Sequence, residues 1–204
     1  MPAPIECMCP KPTPLTPPTH SPIHAPTHPR LQHTSTATPY AHRDIKPHNV
    51  LLRRKASEGA SGSESFAAVL MDFGSARPAR VEVRSRNRAL KVQEEAEAHS
   101  TATYRPPELF DTPSECTIDE RTDVWSLGCL LYYMCYKESP FEYAVSEAGG
   151  SLALAVLSGK VAWDDCGDLK PLADLAKTCM APANADRPYV QEVVKNVTEL
   201  IEAM

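Results

Sequence analysis

The prolines of this chain are distributed unevenly along its 204 residues. Eleven of the twenty lie before Tyr40, mixed with Thr, His and Ser. Proline fixes φ and has no backbone N–H, so a segment this rich in it supports neither helices nor paired strands. Its polar composition also leaves too little apolar surface to build a core. The sequence therefore predicts a disordered segment over residues 1–39 and a folded domain over residues 40–204.

Composition limits the class of protein. The formal net charge is −5, and no basic stripe is present, so we expect no nucleic-acid partner. The longest apolar run, 124–136, is too short to span a bilayer, and the first residues lack the apolar stretch of a signal peptide. Seven cysteines occur without a Cys-x-x-Cys pair, which favours reduced thiols over a disulfide framework or a zinc site. We expect a cytoplasmic protein with no membrane anchor in this chain.

Two short patterns in the proline-rich segment suggest binding functions. Histidines recur every four residues from His20, but the prolines between them exclude the helix on which this spacing would form a metal site. Lys11, Pro14 and Pro17 match a ligand for an SH3-type groove, although any proline-rich tract yields such matches. A low-complexity segment remains the simpler interpretation.

Two apolar runs after Tyr40 predict a β-hairpin. Residues 50–52 and 66–71 have the composition of short strands, and the Ser-, Gly- and Arg-rich stretch 53–65 between them is typical of a surface loop. This hairpin would hold Asn49 and Asp72 at the same end.

The remainder of the chain is predominantly helical by pattern. Residues 89–99 carry Glu, Ala and Leu at high density without Gly or Pro, which predicts a helix. A second helix should follow Asp119, a good N-cap residue, with an apolar face formed by Val124, Leu127 and Leu131. Three further helices are predicted over 151–158, 169–180 and 189–203.

Two motifs occur in a fixed order near the start of the folded domain. Residues 42–49 read His-Arg-Asp-Ile-Lys-Pro-His-Asn, and Asp72-Phe73-Gly74 follows 23 residues after Asn49. Phosphoryl transfer requires an oriented acceptor hydroxyl, a cation on the phosphate and Mg²⁺ between the phosphates. Residues 42–49 and 72–74 together resemble the catalytic and metal-binding loops of a eukaryotic protein kinase.

The resemblance implies a role for each motif residue. Asp44 would accept the proton of the substrate hydroxyl, and Lys46 would contact the transferring phosphate. Asn49 and Asp72 would bind Mg²⁺, which prefers oxygen ligands, and Leu51 would form the floor beneath the adenine of ATP. Protein serine and threonine side chains would be the substrates.

Four further residues match supporting positions of a kinase. Thr101 lies seven residues before Glu108, where serine/threonine kinases place a Thr that contacts the catalytic Asp and Lys. Asp123 would brace the backbone of the catalytic loop, and Arg187 would pair with Glu108. Without the resemblance, such charged residues would be expected on the surface.

Finer details are most similar to the Numb-associated kinase family, in its myristoylated and palmitoylated branch. The segments that carry this similarity are 40–44, 118–129 and 151–156, and that family also has a helix in the activation segment, here 72–108. Pro106 and Ser100 stand where the pattern usually has Ala and Gly.

The implied fold is α+β: the mainly helical C-terminal lobe of a kinase, with a small β-hairpin. The sequence shows no Gly-rich phosphate loop and no strand Lys with a partner Glu, so the N-terminal lobe is expected to be missing. A kinase needs that Lys–Glu pair, and this chain alone is therefore expected to be inactive. Without the helices that precede the catalytic loop, the apolar face of the helix after Asp119 should also lack a neighbour, which would promote aggregation.

Three interpretations remain open at this point. The chain is an N-terminally incomplete serine/threonine kinase, a non-catalytic binding module that uses the surface of the lobe, or a decayed fragment. The presence of all four motif residues, Asp44, Lys46, Asn49 and Asp72, favours the kinase.

Overall fold

The computed structural model describes residues 38–54, 66–146 and 150–203. The SH3-type and histidine patterns lie outside the described residues, as do nearly all of the predicted disordered segment and most of the loop predicted over 53–65. Within the described ranges, most of the regular backbone is helical. The predicted class of a mainly helical fold with small β elements is confirmed.

Six short strands are present in the described residues, and they form three two-stranded antiparallel sheets. The pairs are β1 with β4, β2 with β3, and β5 with β6. The strands are β1 (Tyr40–Ala41), β2 (Val50–Arg54), β3 (Phe66–Leu70), β4 (Arg77–Pro78), β5 (Val81–Val83) and β6 (Cys116–Ile118).

The β2–β3 hairpin confirms the pairing predicted from the two apolar runs. Val50 lies opposite Leu70, and Arg54 lies opposite Phe66. Strand β2 continues two residues into the predicted loop, and β3 ends at Leu70 rather than at Met71. In this register, the residues that precede β2 and those that follow β3 lie at the same end of the hairpin.

Seven helices form the larger part of the described structure. Five of them match predicted helices to within three residues at each end, and the last three of these five match within one residue. They are α1 (Arg86–His99), α2 (Pro107–Phe110), α3 (Arg121–Tyr136), α4 (Glu142–Ser146), α5 (Leu152–Ser158), α6 (Lys170–Cys179) and α7 (Val190–Ala203). Across these ranges, none is both long enough and apolar enough to cross a membrane.

Helix α3 is packed on two sides. One side buries Trp125, whose ring stacks on Phe141 at a centroid distance of 6.0 Å. On the other side, Val124 and Leu131 are buried against α6 and α7, with Leu127 partly buried beside them. The expectation that this apolar face lacks a neighbour is wrong, because helices that follow α3 in the chain supply the partner. The basis for predicting aggregation from this face is removed.

The start of α3 differs slightly from its prediction. The helix begins at Arg121, and the flanking Glu120 makes no side-chain cap. Asp119 nevertheless accepts a hydrogen bond from the backbone N–H of Arg121 at 3.0 Å. Its carboxylate therefore satisfies one of the free N–H groups of the first turn, as expected of a capping residue.

Helix α1 and the β5–β6 pair form a separate small cluster. Ser85 caps α1 by accepting from the N–H of Arg88 at 3.3 Å, which starts the helix three residues before the predicted position. Ala89 and Val92 are buried in a cluster with residues of β5, β6 and α2. The predicted helix is confirmed, and its apolar side anchors the segment that follows Gly74.

Candidate active site

The catalytic-loop residues lie between β1 and β2, and Asp123 holds their backbone. The two oxygens of the Asp123 carboxylate accept from the backbone N–H groups of His42 and Arg43, at 2.5 and 2.9 Å. Arg43 has a φ of 69°, in the left-handed region that residues other than Gly seldom adopt. Burial raises the pKa of Asp123, an effect that the two N–H donors and the nearby cations oppose. The brace thus stabilises a strained backbone next to Asp44.

Asp44 lies at the centre of a hydrogen-bonded network. Lys46 Nζ donates to Asp44 Oδ2 at 2.8 Å and to Thr101 Oγ1 at 2.6 Å. The backbone N–H and the hydroxyl of Thr101 donate to Asp44 Oδ1, at 2.9 and 2.7 Å. Asn49 Nδ2 donates to the Asp44 carbonyl oxygen at 2.8 Å and to Oδ2 at 3.1 Å. Four of the residues singled out from sequence therefore meet at one carboxylate.

This network fixes the charge of Asp44. Burial by itself would raise the pKa of the carboxyl, but the hydrogen bonds from Lys46 and Thr101 outweigh it and hold the pKa of Asp44 below its ordinary value. A carboxylate that receives several donors is stabilised in its charged form. At neutral pH, Asp44 is therefore an ionised group that can receive a hydroxyl donor.

Asn49 and Asp72 lie at the same end of the β2–β3 hairpin. Asn49 precedes β2, and its carbonyl oxygen accepts from the N–H of Met71 at 2.9 Å. Asp72 is exposed, has a φ of 61°, and accepts from the N–H of Gly74 at 3.3 Å. The hydrogen bonds of the Asn49 side chain to Asp44 use the amide nitrogen, which leaves the amide oxygen for a cation. An amide oxygen and an exposed carboxylate fit Mg²⁺, a cation that takes oxygen ligands.

Glu108 and Arg187 are brought together from elements far apart in sequence. Both terminal nitrogens of Arg187 donate to Glu108, each at 2.7 Å. The Arg187 side chain is fully buried and also lies over the Trp125 ring, 5.0 Å from its centroid. The pair joins the start of α2 to the segment before α7.

Comparison with known proteins identifies the family. The model of the protein kinase domain matches residues 33–197. This chain belongs to the protein kinase family.

Three curated relatives of the chain are named as serine/threonine kinases. It is 39% identical over 164 residues to serine/threonine-protein kinase 16 of Mus musculus, covering 80% of this chain and 50% of the mouse protein. It is 32% identical over 170 residues to serine/threonine-protein kinase ppk13 of Schizosaccharomyces pombe, covering 83% and 46%. A probable serine/threonine-protein kinase of Dictyostelium discoideum is 59% identical over 91 residues, covering 45% and 25%. The chain spans about half or less of the length of these kinases.

The residue expected beneath adenine lies on an exposed apolar surface of this kinase chain. Leu51 is 51% exposed on β2 and pairs with Val69 on β3, which is 39% exposed. Together they offer an apolar patch on the hairpin that also carries Asn49 and Asp72 at its end. A flat apolar ring could be buried against this patch.

A cleft of about 770 Å³ opens beside the Asp44 network. Lys46, Asn49 and Thr101 line it, together with residues such as Tyr133 and Glu138. This volume lies within the range of about 300–1,000 Å³ that is usual for ligand pockets. The chain therefore has open space next to the ionised carboxylate of Asp44.

Sequence reasoning missed one residue that positions the site. Arg105 is buried, and its guanidinium donates to the Ser100 hydroxyl at 2.8 Å and to the Ser100 carbonyl oxygen at 3.0 Å. Burial lowers the pKa of Arg105. Because Ser100 directly precedes Thr101, this clamp fixes the backbone that donates to Asp44. An arginine beside two prolines carries no local signal of burial.

Proposed function

We propose that this chain supplies the catalytic loop and peptide-binding lobe of a serine/threonine protein kinase. The reaction is transfer of the γ-phosphate of ATP to a serine or threonine hydroxyl of a protein. The observation that carries the proposal is the network in which Lys46 and Thr101 both bind the ionised Asp44 carboxylate. Membership of the protein kinase family supports it.

Asp44 acts in this proposal as the group that receives the substrate hydroxyl. Its lowered pKa makes it a weak base, so its first task is orientation of the attacking oxygen. The hydroxyl proton passes to Asp44 as the new bond to phosphorus forms and the oxygen becomes more acidic. Orientation contributes strongly, because phosphoryl transfer depends on an in-line approach.

Lys46 acts as the cation that contacts the transferring phosphate. Its ammonium is shared between Asp44 and Thr101, at 2.8 and 2.6 Å, which places one positive charge within the network. A cation held next to the reacting group stabilises the negative charge on the phosphate oxygens without reorganisation. Thr101 orders both partners through its hydroxyl and its N–H.

Asn49 and Asp72 are proposed to hold Mg²⁺, which neutralises charge on the phosphates of ATP. Leu51 is proposed as the apolar contact beneath adenine. The support for these roles is the position of Asn49 and Asp72 at one end of the hairpin and the exposure of Leu51.

We further propose membership of the Numb-associated kinase family and a cytoplasmic location. The support for membership of that family is the 14-residue helix α1, which lies between Asp72 and Glu108, together with the similarity of residues 118–129 to it. A chain that folds but transfers no phosphate, even when it is joined to the N-terminal lobe of a kinase, would instead favour a non-catalytic binding module.

The experiment joins residues 40–204 to the N-terminal half of mouse serine/threonine-protein kinase 16 and measures transfer of labelled γ-phosphate to a protein substrate. We expect transfer that requires Mg²⁺, and a drop of about 10²–10⁴-fold in kcat in Asp44→Asn. Asp168→Asn, at an exposed carboxylate in a surface turn, is the matched control and should retain activity. The chain alone is expected to transfer no phosphate, since no Lys–Glu pair for the phosphates is found in its sequence. A folded joined protein with no activity, or an unaffected Asp44→Asn variant, would overturn the proposal.

A further inference from the structure

Helix α1 carries its charges in two blocks of opposite sign. The cations lie in its first half and the carboxylates in its second half. In chain order the charged residues are Arg86, Arg88, Lys91, Glu94, Glu95 and Glu97. The Arg88 side chain is partly buried, and the other five residues are exposed. Within the described ranges, none of these six side chains forms a hydrogen bond or an ion pair with another residue.

This order of charges does not stabilise the helix itself. The dipole of a helix favours carboxylates near its N-terminus and cations near its C-terminus. The first turn of α1 contains no acidic residue but carries Arg86 and Arg88, while Glu97 lies in the last turn. The order is opposite to the one that the dipole favours. Both blocks are therefore available to a partner outside the helix.

Three exposed residues, each four positions from the next, form a ridge along α1. The ridge consists of Arg86, Leu90 and Glu94, so a cation and a carboxylate flank a central leucine. Leu90 is 41% exposed, whereas Ala89 and Val92 are buried on the other side of the helix. The two ends of the ridge lie at equal distances from Leu90 and are opposite in charge.

We propose that this ridge is an interface with a second copy of the chain, in which two α1 helices pack antiparallel about a two-fold axis next to Leu90. A two-fold axis brings the same patch of both copies together. Arg86 of each copy then lies opposite Glu94 of the other, and the two Leu90 side chains meet at the centre. A parallel pair would instead place like charges against each other.

The pattern of charge selects a second copy over other occupants. An anionic membrane surface would attract the basic block and repel the acidic block, and a cationic partner would do the reverse. A second copy offers both signs at the required spacing. Because a pair of 14-residue helices buries little area, we expect a weak dimer with a Kd on the order of 100 µM.

Sedimentation equilibrium of the full chain tests this interface at concentrations of about 10–500 µM. We expect the average mass to rise with concentration from the monomer value of 22.4 kDa towards twice that value. Salt screens exposed charge pairs, so the dimer should be about 10-fold weaker at about 0.5 M than at about 0.05 M salt.

Two single charge reversals give the decisive comparison. Arg86→Glu makes the ridge acidic at both ends, and Glu94→Lys makes it basic at both ends. Each variant should self-associate about 10-fold more weakly than the wild type or worse, because like charges then face each other. An equimolar mixture of the two should form a heterodimer, because opposite charges face each other again. Neither reversal opposes the helix dipole, so both variants are expected to fold.

A control and a competing occupant complete the design. Lys170→Glu combined with Asp174→Lys exchanges an exposed ion pair on α6 and should leave the dimer unchanged. A wild type that stays monomeric, reversal variants that associate as the wild type does, or a mixture that fails to associate would each overturn the proposal. So would a monomeric wild type that binds vesicles of phosphatidylserine and phosphatidylcholine and loses this binding in Arg86→Glu, which would assign the ridge to an anionic membrane surface.

Discussion

The guanidinium of Arg187 donates to both carboxylate oxygens of Glu108, at 2.7 Å each. The Arg187 side chain is fully buried, and the Glu108 side chain is 11% exposed. Arg187 also donates to the carbonyl oxygens of Ala181 and Pro182, at 2.8 and 3.0 Å. This one side chain therefore links α2, which follows Thr101, to the segment between α6 and α7.

Removal of Glu108 should destabilise the fold strongly. Glu108→Ala would leave a buried guanidinium without its counter-charge, which costs about 3 kcal/mol or more of the free energy of unfolding. Urea unfolding of the wild type and the variant measures this loss. Asp174→Ala is the matched control, because Lys170 and Asp174 form an exposed ion pair at 2.9 Å, and such pairs contribute about 0.5 kcal/mol. An equal loss in the two variants would show that the buried pair contributes no more to the free energy of unfolding than the exposed pair does.

The long helices were predictable from the sequence because their apolar residues repeat at helical spacing. Val124, Leu127 and Leu131 indicated the face of α3 that packs against α6 and α7. The partner of that face was not predictable, since periodicity reports which side is buried but not what covers it.

The short strands were missed for a different reason. Strands β5 and β6 have three residues each, and Val83 pairs with Cys116 across the whole of α1 and α2. A run of three residues carries too little alternation to indicate a strand. Such pairs form only because the surrounding helices bring their backbones together.

The site was predictable at the level of residues and not of contacts. The motifs indicated Asp44, Lys46 and Thr101 through a family resemblance, and the structure brings them together across 57 residues of sequence between Asp44 and Thr101. The clamp of Arg105 on Ser100 had no sequence signal, because burial of an arginine is set by tertiary packing.

The close approach of α3 to α6 predicts an unusual response to a glycine substitution. A Cβ added at Gly128 would lie 2.7 Å from Met180 Cγ and 2.9 Å from Cys179 Cβ. In an exposed helix, Gly→Ala stabilises by about 1 kcal/mol. Here the overpacking should reverse the sign, so Gly128→Ala is expected to lower the free energy of unfolding by about 1–3 kcal/mol. Urea denaturation decides the sign, and a stabilised variant would contradict the tight contact.

The Thr101 hydroxyl should matter for catalysis and not for folding. Thr101→Val removes the donor to Asp44 Oδ1 at 2.7 Å and the acceptor for Lys46 at 2.6 Å, while it keeps the shape of the side chain. In the joined kinase described above, misplacement of the reacting groups should lower kcat by about 10²-fold. Thr101→Ser, which keeps the hydroxyl, should stay within about 3-fold of the wild type. Thr117→Val, on the exposed side of β6, controls for the loss of a hydroxyl alone, and an equal effect at both positions would contradict the role of Thr101.

Asp119 predicts a specific dependence of stability on pH. Burial alone would raise the pKa of this carboxyl, but hydrogen bonds from Arg121 and Asn184 outweigh burial and lower the pKa below its ordinary value of 3.8. The donors include the Arg121 guanidinium at 2.7 Å and the Asn184 amide at 3.1 Å. The folded state therefore binds the Asp119 proton less readily than the unfolded state does. Asp119 contributes stability at pH values above its ordinary pKa, and this contribution is lost as the pH falls through the lowered pKa of the folded state.

The comparison of wild type with Asp119→Asn isolates this contribution. Urea unfolding of both proteins between pH 7 and pH 3 should show the wild type more stable at pH 7, with a difference that shrinks steadily below about pH 4 as the wild-type carboxyl becomes protonated. Asparagine gains no proton in this range, so the pH dependence of unfolding of Asp119→Asn reports all the other titrating groups. A difference that stays constant with pH, or that grows on acidification, would mean that the bonds from Arg121 and Asn184 do not favour the charged form of Asp119.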